Sequence, residues 1–257
     1  MKSRLLAPLV ALIIAAWIGS GWALTALEIA KKSLELDRSP TKVTTYKMIV
    51  TNKKGQTRTY RFTSHEKQYP EGSKKIIRFL EPADAKGTGL LSFERKTADD
   101  LQWLFLPSQK KARQLAASNK SDEFMGSDLW MEDMATQTAE KFNHELLQQV
   151  MLDGVQCYLV ESKPKPGVNS AYSKTRSWIN TTNFVALKME LYDKKGALIK
   201  TINNKKAEQI SGFWTITNVQ VVTQDKGKAM TEVQIEKREY NVDIPDRFFT
   251  QQYLESY

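Results

Sequence analysis

Cysteine is nearly absent from this chain of 257 residues, which contains a single Cys, 12 Gly and 8 Pro. One cysteine cannot form an internal disulfide, which excludes a disulfide-stapled small domain. Cys157 lies in the apolar run 155–159, where a thiol is expected to be a small buried hydrophobic group. The low Gly and Pro counts exclude a collagen-like or low-complexity chain, and 6 Trp, 9 Tyr and 10 Phe supply material for a core.

Catalytic motifs are also missing. The two histidines each precede a glutamate, and neither has the second histidine one helical turn later that a zinc-binding helix needs. There is no G-x-S-x-G elbow and no phosphate-binding loop ending in G-K-[ST]. Asp128, Glu132 and Asp133 could bind a cation, but acidic residues at a helix N-terminus more often complement its dipole. We therefore expect no enzyme, no cofactor and no metal site.

Long hydrophobic runs are missing after the first two dozen residues. Lys2 and Arg4 precede the apolar stretch 5–18, and small residues stand at the −3 and −1 positions of a cleavage site after Ala23. This pattern predicts a secretory signal peptide over residues 1–23. A retained anchor is the alternative, but roughly 14 residues are too few to span ~30 Å of hydrocarbon. Cleavage removes two positive charges and lowers the formal net charge from +9 to +7.

Export changes the interpretation of the positive charge. In a cytoplasmic chain, a net positive charge would suggest a nucleic-acid partner. In an exported chain, the positive charge is better explained by binding to anionic lipid head groups or by simple solvation of the surface. The basic residues Lys110, Lys111 and Arg113 follow a predicted strand, where they could contact head groups or an acidic partner during transient membrane-surface contact. A solvated loop is the alternative. We expect the exported protein to be soluble, without a lipid anchor and without nucleic acid.

Hydrophobic periodicity predicts a mainly β fold. Helical spacing occurs from Thr25 to Asp37 and ends at Ser39-Pro40, which predicts one N-terminal helix. Alternation with a period of two follows, interrupted by glycine-containing turns. We therefore expect an antiparallel meander of roughly ten strands that curls into a barrel or half-barrel. The alternating segments are 43–51, 57–64, 74–80, 89–95, 101–106, 146–152, 155–162, 173–180, 184–192, 197–210, 213–223 and 228–240.

One region, residues 116–140, interrupts the meander and is here called the cover segment. It lacks alternation, contains three of the 8 Met, and is expected to form only short helices. Met adapts to varied apolar shapes, so the segment could form a deformable lid over the sheet, with Phe124, Met125, Trp130 and Met134 as candidates. The alternative is that these side chains simply plug the end of a barrel as core.

Three blocks of the sequence resemble the LolA-like family, often labelled outer-membrane lipoprotein-sorting proteins. The blocks are Pro82…Lys86-Gly87-Thr88…Leu91, Trp103-Leu104-Phe105-Leu106-Pro107…Lys110…Arg113 and Phe124-Met125-Gly126-Ser127-Asp128…Glu132-Asp133-Met134. Further matches are Cys157-Tyr158, Tyr172, Trp178, Tyr192-Asp193, Gly196, Lys200, Gly212-Phe213-Trp214, Thr231 and Ile244-Pro245…Phe249. The resemblance covers nearly all of the chain after residue 23.

The resemblance implies one half-barrel domain over residues 24–257, an incomplete barrel whose short helices cover a concave apolar face. It also implies a periplasmic carrier that binds acyl chains of a lipoprotein or lipid. The alternation of apolar residues along the strands gives a set of candidates for lining the groove. Either face of a strand could point inward, and each candidate could equally be packed core that does not contact the ligand. These candidates are Tyr46, Met48, Val50, Leu91, Phe93, Leu101, Trp103, Phe105, Trp214 and Ile216.

Two functions therefore stay open on the sequence. The first is carriage of lipoprotein or lipid in outer-membrane trafficking, with an inner-membrane transporter of the RND or ABC type as a partner. The second is a periplasmic regulatory or accessory subunit that binds a membrane protein, either a transporter or an envelope-stress sensor. Fold alone does not separate these two functions.

Overall fold

A computed structural model describes residues 24–256 apart from 97, 99, 136, 225, 226 and 228. The predicted signal peptide, residues 1–23, lies outside the described residues. Two α-helices are present in the described part, α1 (Ala26–Leu34) and α2 (Gln251–Glu255). Single 3₁₀ turns occupy Pro107–Gln109, Ala117–Ser121, Phe124–Gly126, Met131–Met134, Ala139–Lys141 and Asp246–Phe249. Neither described α-helix has the length and apolar character needed to cross a membrane.

The N-terminal helix α1 begins at a reciprocal cap. The Thr25 side chain accepts a hydrogen bond from the backbone N–H of Glu28, and the Glu28 carboxylate accepts one from the backbone N–H of Thr25 at 2.7 Å. This arrangement satisfies N–H groups that the first turn of a helix leaves unpaired. The helix buries Ile29 and Ala30, which places one face of α1 against the sheet.

All thirteen described strands form one antiparallel sheet. The strands are β1 (Thr41–Thr51), β2 (Thr57–Tyr69), β3 (Gly72–Glu81), β4 (Gly89–Arg95), β5 (Leu101–Leu106), β6 (Lys111–Gln114), β7 (Phe142–Leu152), β8 (Val155–Pro164), β9 (Lys174–Asn180), β10 (Ala186–Tyr192), β11 (Leu198–Ile210), β12 (Phe213–Thr223) and β13 (Met230–Tyr240). Their order is β6-β5-β4-β3-β2-β1-β13-β12-β11-β10-β9-β8-β7.

This order explains why the barrel is incomplete. The first and last strands, β1 and β13, pair at the centre of the sheet, so β6 and β7 become its two free edges. The cover segment connects these two edges, so the interruption in the meander coincides with the opening of the sheet. The predicted mainly β fold with an incomplete antiparallel barrel is confirmed, although thirteen strands exceed the expected ten.

The inner face of the sheet, which faces α1 and the cover segment, has a continuous apolar core on β1–β4. Register places Met48 opposite Tyr60 and Phe62 opposite Phe79, so these side chains share one face. Phe124 of the cover segment packs against Phe79 with ring centroids 5.6 Å apart. The cover segment therefore completes the core of this half of the sheet.

The outer face of β3–β6 has a second core under residues 244–255, here called the C-terminal strap. Ile76, Leu91 and Trp103 of the sheet pack with Ile244 and Leu254 of the strap. Arg78 holds the strap in place, since its guanidinium donates to the carbonyl of Leu254 at 2.7 Å. Adjacent residues of one strand therefore belong to different cores. Ile77 and Leu90 pack in the inner core, whereas Ile76 and Leu91 pack in the core under the C-terminal strap.

Gly72, at the start of β3, allows a close approach between two strands. Its φ is +153°, and a Cβ at this position would lie 2.0 Å from the carbonyl oxygen of Glu94. Gly55 also has a positive φ, of +82°, but a Cβ there would meet nothing within 4 Å. At Gly72 a side chain would therefore clash with the neighbouring strand and would also strain the backbone, whereas at Gly55 it would only strain the backbone.

We expect Gly72→Ala to lower the free energy of unfolding by at least ~2 kcal/mol, because it adds overpacking to backbone strain. Gly55→Ala should cost about 1 kcal/mol from the backbone alone. Equilibrium denaturation of the two variants measures both values. Equal losses in the two variants would contradict the close strand approach.

Candidate functional site

An apolar cavity of about 300 Å³ lies between α1, the cover segment and the inner face of β7–β12. This volume is at the lower end of the range for small-ligand sites, ~300–1,000 Å³. Aliphatic side chains dominate its floor. The lining residues are Ala30, Ser33, Leu34, Glu132, Asp133, Gln137, Phe142, His144, Val160, Ser162, Pro164, Ser170, Tyr172, Lys174, Thr175, Ser177, Ile179, Ala186, Met189, Leu191, Ile202, Asn204 and Ile216.

Strand register builds the floor of the apolar cavity as a row across four strands. Val160 lies opposite Ser177, Ser177 opposite Met189, and Met189 opposite Ile202. Side chains in register across a sheet share one face, so the row points toward α1. The small Ser177 in the middle of this row leaves room that a larger side chain would fill.

One wall of the apolar cavity is formed by His144 on β7. Its Nε2 lies 2.8 Å from the carbonyl oxygen of Ala139, and its Nδ1 lies 2.7 Å from the hydroxyl oxygen of Ser162. A carbonyl can only accept, so Nε2 carries the proton and Nδ1 accepts from the hydroxyl in the neutral ring. Burial lowers the pKa of His144, which keeps the ring uncharged at neutral pH.

The cover segment is held over the sheet by carboxylates that each bind a different element. The F-M-G-S-D block forms a tight turn in which Met125 and Gly126 have φ values of 54° and 68°. This turn directs Phe124 into the core and Asp128 toward β13. There the Asp128 carboxylate accepts a hydrogen bond from the Thr231 hydroxyl at 2.8 Å. The backbone N–H of Asp128 donates to the Thr231 hydroxyl oxygen at 2.8 Å.

The second carboxylate, Asp133, makes a buried ion pair with Lys200 of β11 at 2.6 Å. The Tyr172 hydroxyl donates to the same carboxylate at 2.8 Å, and the Lys200 side chain has no solvent exposure. Trp130 stacks on Tyr172 with ring centroids 5.0 Å apart, and the ammonium of Lys200 lies 4.4 Å from the centre of the Trp130 ring. Burial and the neighbouring carboxylate raise the pKa of Tyr172, so it remains a hydrogen-bond donor.

The third carboxylate, Glu132, binds the loop that precedes β9. It accepts a hydrogen bond from the Ser170 hydroxyl at 2.6 Å and another from the backbone N–H of Ala171. Burial raises the pKa of Glu132. These three carboxylates therefore bind β13, β11 and the loop before β9, and no group of three metal-ligating side chains occurs among the described residues.

The groove candidates fall into three groups. Tyr46, Met48 and Val50 pack in the inner core beneath the cover segment, outside the apolar cavity. Of the β12 candidates, Ile216 lines the apolar cavity and Trp214 does not. The remaining five lie in the core under the C-terminal strap, on the opposite face of the sheet, because both strand faces are apolar there. They are Leu91, Phe93, Leu101, Trp103 and Phe105.

The cover candidates divide between core and cavity edge. Phe124 is buried in the inner core, and Met125 and Met134 pack against that core. Trp130 instead stacks over the Lys200 pair beside the apolar cavity. The cover segment thus acts as core over β1–β4 and as a wall of the apolar cavity further along the sheet.

The basic candidates lie outside the apolar cavity. Lys110, Lys111 and Arg113 are exposed around the edge strand β6, where Lys110 adopts a left-handed turn with φ 52°. The Glu255 carboxylate of the C-terminal strap accepts the backbone N–H of Ala112 at 2.7 Å. Contact of these basic residues with head groups or an acidic partner stays a prediction.

Sequence reasoning missed most residues of the apolar cavity, including Val160, Ile179, Met189 and Ile202. Their strands were predicted, but a choice of face needed the position of α1. Lys200 was also missed as a site residue, because β11 contains three lysines and no local pattern marks the buried one. Tyr172 gave no signal beyond its place in the resemblance.

The fold and cavity define a class of protein, an incomplete antiparallel β-barrel with a covered apolar cavity. A family model described as "-like: Uncharacterized protein" matches residues 71–256. The chain belongs to this family, and its structural neighbours show that it has the fold of LolA-like proteins. No curated protein matches the chain.

Three solved structures are similar over nearly the full chain. A DUF1329 family protein from Desulfovibrio piger is 27% identical with a TM-score of 0.84, covering 89% of this chain and 97% of its own. An outer membrane lipoprotein-sorting protein domain from Vibrio parahaemolyticus is also 27% identical at 0.84, covering 90% and 98%. A LolA superfamily protein from Nitrosomonas europaea, 22% identical with a TM-score of 0.75, covers 90% and 100% and shows the same fold.

Replacing Lys200 tests the buried pair that holds the cover segment. We expect Lys200→Met to lower the free energy of unfolding by about 3 kcal/mol, because Asp133 is left buried without its cation. The cover segment should also become more sensitive to limited proteolysis. Lys206→Met on the same strand is the matched control, since Lys206 pairs with Glu208 at the surface and should cost less than ~0.5 kcal/mol. Equal effects of the two variants on stability would contradict this role of Lys200.

Proposed function

We propose that this protein is a periplasmic carrier that binds acyl chains of a lipoprotein or lipid and takes part in outer-membrane trafficking. The observation that carries the proposal is the apolar cavity, which has an aliphatic floor on β8–β12 and is roofed by α1 and the cover segment. Such a site has the shape and chemistry of a hydrocarbon-binding pocket.

The physical need for such a carrier follows from the cost of exposing hydrocarbon to water. Each exposed methylene costs about 0.8 kcal/mol, so an acyl chain of ~15 methylenes is penalised by on the order of 12 kcal/mol. A covered cavity removes part of that cost while the ligand crosses an aqueous compartment. The name of the Vibrio parahaemolyticus domain, which refers to outer-membrane lipoprotein sorting, supports the same function.

Release of the ligand requires the cover segment or α1 to move. The cover segment is held by polar contacts of Asp128, Glu132 and Asp133, and polar contacts can be exchanged for water or for a partner's groups. The sequence has no phosphate-binding loop, so the direction of transfer comes from relative affinities or from a partner. We propose a membrane transporter of the RND or ABC type as that partner.

Filling the apolar cavity tests the proposal. Met189→Trp places a larger side chain on its floor, whereas Met151→Trp introduces the same change on the edge strand β7, where Met151 is 61% exposed and outside the cavity. The probe is the fluorescent fatty acid cis-parinaric acid. Displacing two methylenes should cost ~1.6 kcal/mol, so Met189→Trp should bind the probe about fifteenfold more weakly.

The control variant Met151→Trp should bind the probe like the unsubstituted protein, and thermal unfolding monitors the fold of both variants. Unchanged affinity in a folded Met189→Trp protein would place the acyl chain outside the apolar cavity. Absence of probe binding by the unsubstituted protein would argue against a carrier and favour a regulatory or accessory subunit.

A further inference from the structure

A second, polar depression of about 510 Å³ adjoins the apolar cavity and is here called the lysine basin. It lies between the β4–β5 connection, the cover segment and the β8–β9 loop. Glu132, Gln137 and Phe142 line both sites, so the lysine basin opens beside the apolar cavity. The residues that line the lysine basin are Lys96, Ala98, Asp100, Gln102, Lys120, Glu132, Ala135, Gln137, Thr138, Glu140, Lys141, Phe142, Lys165, Pro166, Gly167, Val168 and Asn169.

Four ammonium groups surround the lysine basin. Lys96 donates to the carbonyl of Pro70 at 2.8 Å, and Lys120 donates to the carbonyl of Asn169. A carbonyl orients an ammonium group without cancelling its charge. Lys141 alone of the four pairs with a carboxylate within 4.0 Å among the described residues, namely Asp100 at 2.6 Å.

The acidic side chains of the lysine basin already have partners. Asp100 is paired with Lys141, and Glu140 is paired with Lys31 of α1 at 2.5 Å. Glu132 accepts from the Ser170 hydroxyl and from a backbone N–H. Asp100 and Glu140 are therefore paired with lysines, whereas the hydrogen bonds of Glu132 come from neutral donors, and its charge interacts with that of Lys120. Four lysines and three carboxylates line the lysine basin, which leaves it with a net positive charge.

A turn at residues 165–168 fixes one side of the lysine basin. The backbone N–H of Lys165 donates to the carbonyl of Lys141 at 3.0 Å, and the N–H of Val168 donates to the carbonyl of Lys165 at 3.0 Å. Gly167 supplies the positive φ of this turn, 86°. The turn therefore holds Lys165 in the lining of the lysine basin.

We propose that the lysine basin binds the negatively charged head group of the lipid whose acyl chain occupies the apolar cavity. This inference rests on the proposed carrier function and narrows its cargo to net-anionic lipids. The ligand would lie across both sites, with hydrocarbon against the aliphatic floor and a phosphate near Lys120 and Lys165. Ammonium groups attract phosphate as point charges, so head groups of net negative charge are favoured over zwitterionic ones.

Two lipids with the same acyl chains and different head groups distinguish binding at the lysine basin from binding at the apolar cavity. The probes are dioctanoyl phosphatidylglycerol, which is anionic, and dioctanoyl phosphatidylcholine, which is zwitterionic. At low salt the unsubstituted protein should bind the anionic lipid about tenfold more tightly, since each nearby lysine favours an anionic surface. The preference should shrink as salt is raised.

The double variant Lys120→Gln/Lys165→Gln should lose this preference while keeping its affinity for the zwitterionic lipid. Lys53→Gln/Lys54→Gln removes the same charge from the exposed β1–β2 turn and should keep the preference. The single variant Lys165→Glu, at an exposed position, reverses one charge and should weaken only binding of the anionic lipid.

Equal binding of both lipids by the unsubstituted protein would overturn the inference, as would a preference that survives Lys120→Gln/Lys165→Gln. In either case retained binding of the zwitterionic lipid leaves the acyl site in the apolar cavity intact. Failure to bind either lipid would overturn the carrier function itself, and the assignment of the lysine basin with it.

Discussion

The buried ion pair between Asp133 and Lys200 is the interaction on which the site depends. It joins the cover segment to β11 from a position with no exposure of the lysine side chain, and Tyr172 and Trp130 complete its surroundings. An open sheet with an apolar inner face needs a cover, and a cover that packed only through hydrocarbon would close the whole interior. Polar attachment at Asp128, Glu132 and Asp133 instead sets the cover segment at fixed points, because a buried charge has few acceptable partners.

The inner face thereby divides into two parts with different properties. Over β1–β4 the Phe124 ring and neighbouring Met side chains fill the space, so this half is packed core. Over β8–β12 the interior is bounded by α1 and by the polar part of the cover segment, and the small Ser177 lies in the middle of the floor. The same segment thus stabilises one half of the molecule and leaves the other able to hold a ligand, with the lysine basin beside it.

Much of the fold was predictable because helix capping, alternation and turn chemistry act over short stretches of chain. The helix after Thr25, the hairpin at Gly55 and the irregular cover segment all follow from local patterns. The four-residue strand β6 was missed because it is too short to show alternation. The inner face was unpredictable where adjacent positions are both apolar, as at Leu90 and Leu91, since the strap and the cover segment decide which core each side chain joins. Lys200 could not be placed either, because lysine is rarely buried and its partner is 67 residues away along the chain.

The proposed carrier binds acyl chains in the apolar cavity. Native mass spectrometry of the protein purified gently from the producing cell tests this binding. We expect one acylated ligand per protein chain, released by organic solvent and identifiable by its fragments. A chain that remains free of ligand, even after incubation with acylated lipoprotein and with lipid, would contradict it.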